Sequence, residues 1–131
     1  MGSRENIRIK SLFRKLAKAK LRSFPEAGER LDAPDEQGVY VIYSPRGKVL
    51  HVGRTYRGTR GLRQRLNNHL HASSSFTNGF LKGRGARLRA GYTFSLLAVP
   101  EPRQRALLEA LAIGSLCPAH LGVSKKRPVT R

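Results

Sequence analysis

Apolar positions along the chain change their spacing several times, and each change predicts an element. Ile9, Leu12, Phe13, Leu16 and Leu21, with basic residues between them across 4–24, predict a helix with one apolar stripe and a positive face. At 38–43 the pattern becomes an unbroken β-branched and aromatic run, GVYVIY, and KVLHV at 48–52 is of the same kind. Both predict strands. Between them, Ser44-Pro45-Arg46-Gly47 has proline second and glycine fourth, the signature of a type I turn, so the strands form a hairpin. If Ser44 faces Gly47, the pairs run 43:48, 42:49, 41:50 and 40:51, with Tyr40 opposite His51 on one side of the sheet. A three-residue loop would break this register.

Leu62, Leu66 and Leu70 then recur every four residues, predicting a short helix over 61–71 that carries Arg65 and His69 one turn apart on its flank. Residues 73–82 predict a second helix, 83–89 a basic loop and 92–99 (YTFSLLAV) a third strand. Residues 102–116 predict a helix with Pro102 near its start. Residues 25–37 hold five acids and two prolines and read as a linker, 117–122 (CPAHLG) closes the domain, and 123–131 reads as a loose basic tail. The order predicts an α/β (α+β) fold: a small three-stranded mixed or antiparallel sheet flanked by helices at 37–122, after a basic helix and acidic linker at 1–36.

Composition narrows the function. At 131 residues and 39% hydrophobic content the chain supports one modest core. It has no apolar run approaching about 18 residues and no signal-peptide core, so membrane spanning is not expected. One cysteine, Cys117, excludes an internal disulfide and a multi-cysteine zinc site, and a cytosolic protein is the expectation. Charge changes the picture most. Lys and Arg number 26 against 8 Asp and Glu, a net charge of +18, and after residue 36 only Glu101 and Glu109 oppose the basic residues. Such a surface repels itself unless a polyanion neutralises it, and nucleic acid is the natural one. A solvated basic face or anionic lipid is the alternative. The basic N-terminal helix also fits a membrane surface or a targeting presequence, with packing and DNA contact preferred.

The stretch HVGRTYRGTRGLRQRLNNH at 51–69 carries the chemistry. Gly53 and Gly58 have the spacing of a phosphate-binding loop between a strand and a helix. The lysine such a loop needs after the second glycine is Thr59, no strand ending in Asp follows, and a hairpin precedes it where a parallel sheet is required. The nucleotide-cradle reading fails.

Gly38-Val39-Tyr40, then His51-Val52-Gly53, then Arg65 and His69 on the next helix and Glu109 on a late one, resemble the GIY-YIG nuclease family over about residues 37–122. The resemblance implies a small sheet of three strands flanked by helices, and hydrolysis of a phosphodiester with one divalent metal ion, Mg²⁺ or Mn²⁺. By position it makes Tyr40 the tyrosine of the first motif, Arg65 the arginine on the scissile phosphate, His69 a residue near the attacking water, and Glu109 the lone metal ligand. Two departures stand out. His51 replaces the tyrosine that normally opens the second motif, and the late asparagine has no counterpart in CPAHLG, where His120 or the backbone occupies that space.

The residues can be weighed without the family. A hard cation takes oxygen ligands, and Glu109 lies in the apolar setting LLEALAI, where its alternative is an i, i+4 pair with Arg105. Glu101 reads as a charge at a helix terminus. Arg65 is either a solvated charge or a bidentate phosphate ligand. His51 can hold Tyr40 ready as a base, can take the proton itself, or only packs. A thiol nucleophile made by Cys117 and His120 has no orienting acid. Arg54, Tyr56, Arg57 and Arg60 are expected on the nucleic-acid backbone with Arg63, Lys82 and Arg84, Tyr56 stacking on a base. The expected partner is double-stranded DNA, with RNA cleavage and a catalytically silent nucleic-acid-binding module as the alternatives.

Overall fold

Helices α1 (Arg4–Ala17), α2 (Leu62–Leu70) and α3 (Pro102–Leu116) accompany strands β1 (Arg22–Ser23), β2 (Gly38–Tyr43), β3 (Val49–Arg54) and β4 (Thr93–Ala98). They are seen in a computed structural model that describes residues 3–56, 60–71 and 74–121. The sheet is antiparallel throughout, in the order β1-β4-β2-β3. The fold is α+β, the three expected strands gaining a two-residue edge strand.

β2 lies inside the sheet and is buried on both faces, which is why its sequence is a continuous apolar run rather than an alternation. Tyr40 and Ile42 point to one face, with Phe94 and Leu96 of β4, Leu62, Leu66 and Leu70 of α2, and Phe76. Val39 and Val41 point to the other, with Val52, Ile9, Leu12 and Leu16 of α1, and Leu108 and Ala112 of α3. One sheet therefore serves two apolar layers.

The hairpin corrects the expected register. Gly47 N–H bonds to Ser44 O and Ser44 N–H to Lys48 O, which closes a three-residue loop with Gly47 at φ 87°. That shifts the pairing by one residue, to Tyr43 against Val49. A bulge at Leu50 then shifts it by one more, so Ile42 faces His51 and Tyr40 faces Gly53. A one-residue slip would send every side chain to the other face; two slips restore it. Tyr40 and His51 thus stay on one face as diagonal neighbours, ring centroids 6.0 Å apart.

Further differences lie at the ends of elements. α1 starts at Ser3, whose hydroxyl accepts from Asn6 N–H, and stops at Ala17, so Leu21 leaves the stripe and is exposed. Residues 25–37 lack helix and strand, as expected of a linker, but Leu31 and Ala33 enter the core. Within 73–82 the described structure is a five-residue π-helical turn, Phe76–Phe80, and the expected loop at 83–89 contains a 3₁₀ turn, Gly85–Arg89. α3 matches its expected bounds; Glu101 caps it by accepting from Gln104 N–H, with Pro102 in its first turn. No helix among the described residues is long and apolar enough to cross a membrane. The expected tail at 123–131 lies outside the described residues.

α1 is part of the domain, because its stripe covers α3 and the sheet. Leu16→Ala, at a side chain 1% exposed, is expected to cost about 2–5 kcal/mol in urea unfolding. Ile7→Ala, at a residue 61% exposed, is expected to stay within about 0.5 kcal/mol. Equal effects would mean that α1 is not packed as described.

Candidate active site

Behind the hairpin a chain of buried hydrogen bonds begins at β2. The Tyr40 hydroxyl lies 2.7 Å from His69 Nε2, and His69 Nδ1 lies 2.7 Å from Ser74 Oγ. Ser74 Oγ donates to Thr77 Oγ1, which donates to the His69 carbonyl. Because the Thr77 proton is committed to that carbonyl, Thr77 only accepts from Ser74, and Ser74 only accepts from His69. The proton of His69 is therefore on Nδ1, and Nε2 accepts from Tyr40 O–H. Burial also holds His69 neutral, pushing its pKa well below the usual histidine value, with His51 and Arg65 adding to the effect.

Tyr40 is fully buried, and burial pushes its phenol well above its ordinary value; the positive charge of Arg65 beside it opposes this only in part. A phenol so placed stays protonated at neutral pH. The geometry is possible because residue 53 is glycine: a Cβ there would overlap the Tyr40 hydroxyl and ring. Here the second motif's glycine makes room for the first motif's tyrosine.

In front of this chain opens a cavity of about 360 Å³, lined by His51, Gly53, Arg54, Arg65 and Glu109 with Tyr56 at its wall. Three of the five expected catalytic residues, His51, Arg65 and Glu109, thus share one space, supplied by β3, α2 and α3. Tyr40 and His69 are not among the lining residues and lie behind the wall, bonded to each other. Arg65 presents a buried Nε with no hydrogen-bond partner among the described residues, and so does His51 Nε2. His51 is held by Phe76, stacked at 4.9 Å, and by His120, whose Nδ1 is 3.1 Å from His51 Nδ1. Burial first, then the charges of His120 and Arg65, push His51 down to about 3.

Glu109 projects into the same cavity from α3. Its Oε1 accepts from Arg54 at 2.9 Å, and burial raises its pKa against the pull of Arg54 and Arg65. The i, i+4 pair with Arg105 does not form: the Arg105 guanidinium turns to the Val99 and Pro100 carbonyls. Among the described residues no three His, Cys, Asp or Glu gather as a metal cage, and Glu109 is the one acid lining the cavity. One carboxylate beside open space suits a hard cation that keeps most of its waters, such as Mg²⁺. The donor set fits the metal that the resemblance implies.

The residues expected on nucleic acid divide. Arg54 lies 4.9 Å over the ring of Tyr56, which is 51% exposed at the cavity mouth. Arg60 is exposed, its backbone N–H donating to Gln64. Lys82 and Arg84 are exposed on the turn after Phe76–Phe80 and do not line the cavity. Arg63 departs from expectation, since its guanidinium is bound to Asp35 on another surface. Arg57 lies outside the described residues. Ser74, Thr77 and Phe76 were not identified as site residues, because nothing in their local spacing links them to Tyr40. Cys117, exposed at φ 49°, is not a partner for His120, whose ring faces His51.

Two outcomes follow for stability. Tyr40→Phe and Ser74→Ala each strand a buried partner and are expected to cost about 1–3 kcal/mol, read from urea midpoints. Unfolded histidine titrates near 6.5, whereas folded His51 does so near 3 and folded His69 well below 6.5. The unfolded chain therefore binds protons first as pH falls. Stability contributed by the neutral pair is complete above about pH 6.5 and is lost progressively toward pH 3, with a limiting slope of about 1.4 kcal/mol per pH unit for each histidine. Glu109, shifted upward, contributes in the opposite sense. Unfolding midpoints that do not change between pH 7 and 4.5 would contradict neutral buried histidines.

Compared with known proteins, the chain is matched by no family model, no curated protein and no solved structure.

Proposed function

We propose that the chain is a metal-dependent endonuclease of the GIY-YIG type that hydrolyses phosphodiester bonds in DNA. The observation that carries the reading is the convergence of His51, Arg65 and Glu109 on one cavity in a chain of net charge +18. Arg65, whose Nε has no hydrogen-bond partner among the described residues, meets the scissile phosphate and offsets charge that develops on the phosphoryl oxygens. Tyr40 sits behind Arg65 as a positioning residue: its proton goes to His69, which turns the electron-rich side of its oxygen to the Arg65 charge. His51, neutral and with Nε2 bare, takes the proton of the attacking water. Glu109 holds the divalent cation, which, when bound, supplies charge stabilisation at the phosphate and leaving oxygen. Arg54 and Tyr56 at the mouth suit the sugar-phosphate backbone and a stacked base.

The Arg54–Glu109 pair favours a second reading, a binding module in which the arginine occupies the carboxylate permanently. Metal titration separates the two: binding that Glu109→Ala abolishes supports the nuclease, and absence of metal binding supports the module.

Plasmid DNA incubated with the protein and Mg²⁺ or Mn²⁺ is expected to be nicked. Glu109→Ala is expected to abolish nicking, and Arg65→Ala to slow it by about 10²–10³. Arg65→Lys is not expected to restore it, since an ammonium lacks the planar fork. No cleavage by the wild type, or undiminished cleavage by Glu109→Ala, would overturn the reading.

A further inference from the structure

A base at His51 faces an electrostatic difficulty. The ring is 4% exposed, enclosed by Phe76, His69 and Tyr40, with Arg65 acting on it as a nearby positive charge. An imidazolium formed there would be a buried cation beside another cation, which costs several kcal/mol. A proton accepted by His51 therefore has to leave again at once.

The structure provides an exit. His51 Nδ1 meets His120 Nδ1 at 3.1 Å, an arrangement in which one nitrogen donates and the other accepts. In one of the two arrangements the resting proton sits on His51 Nδ1, and Nε2, buried and without a hydrogen-bond partner among the described residues, is the basic nitrogen of a ring that lines the cavity. His120 is half-buried where His51 is buried. It is placed by main chain as well as by its ring, because Ala119 N–H bonds to Val49 O and His120 N–H to Leu50 O, docking 119–120 along the edge of β3.

We propose that His51 and His120 form a two-histidine proton relay that carries the proton of the attacking water from the cavity to the protein surface. This rests on the nuclease reading and deepens it. As water oxygen bonds to phosphorus, its proton goes to His51 Nε2 and the Nδ1 proton passes to His120 Nδ1. His120, half-buried, gives up its Nε2 proton in turn, and that proton ends in solvent. The P–O bond to the leaving oxygen breaks, and that oxygen takes a proton from solvent, so the hydrolysis balances. His51 gains one proton as it loses another and never holds a net charge. Return of a proton along the same path resets the pair. The histidine in the tyrosine's place and the histidine near the missing asparagine thus work together, His120 acting through His51 rather than on the substrate.

Asparagine at 120 separates relay from orientation, because its side chain still bonds to His51 Nδ1 but cannot accept and release a proton. In single-turnover cleavage of plasmid DNA, His120→Asn is expected to lower kcat about a hundredfold at unchanged KM. His120→Ala is expected to fall similarly and to recover about tenfold on adding imidazole, which a purely structural role would not allow. Wild-type kcat in His120→Asn would overturn the relay while leaving the nuclease reading intact; an inactive wild type would overturn both. Should either variant fold poorly, ¹⁵N NMR of the wild-type imidazoles decides: His51 protonated on Nδ1 is expected at neutral pH, and an Nε2–H tautomer would overturn the proposal.

Discussion

The hydrogen bond from Tyr40 to His69 is the contact on which the site depends, because it joins the central strand to α2 at the point where both reach the cavity. It takes up the only proton of the phenol, which leaves the Tyr40 oxygen with only lone pairs to offer the nearby Arg65 charge. It also takes up His69 Nε2, whose other nitrogen is committed to Ser74 and through it to Thr77. Each group in the chain has one arrangement that satisfies it, and a fully satisfied buried network is rigid.

The cavity side contrasts with this. Behind the wall the polar atoms are paired, whereas Arg65 Nε and His51 Nε2, buried atoms of two cavity-lining residues, have no protein partner among the described residues. Leaving buried polar atoms unmatched costs stability, and such costs gather where a ligand completes the set. Desolvation also raises the Glu109 carboxyl, so the acid, the arginine and the neutral imidazole all face a space that favours an arriving charge.

Much of this was legible along the chain because the signals are local. β2, α3, the Ser44–Gly47 turn and the leucine stripe of α2 follow from short-range pattern, as does the excess of arginine after residue 36. The register was half legible. The turn was visible, but not the bulge at Leu50, which no turn or propensity signal in the hairpin announces. Since two single-residue shifts cancel in parity, His51 reached the expected face for a different reason.

By itself the sequence determined the elements, the charge and a short list of candidate residues, because each of these depends on local order and composition. Only the tertiary structure decided how they divide. Burial turned Tyr40 and His69 into a support, while His51, Arg65 and Glu109 were brought to the cavity. Glu109 found Arg54, 55 positions away, instead of Arg105 on its own helix. His51 found His120, 69 positions away, through a segment docked on the edge of β3. Contacts of that range depend on how the layers close around the sheet, and no local pattern encodes that closure.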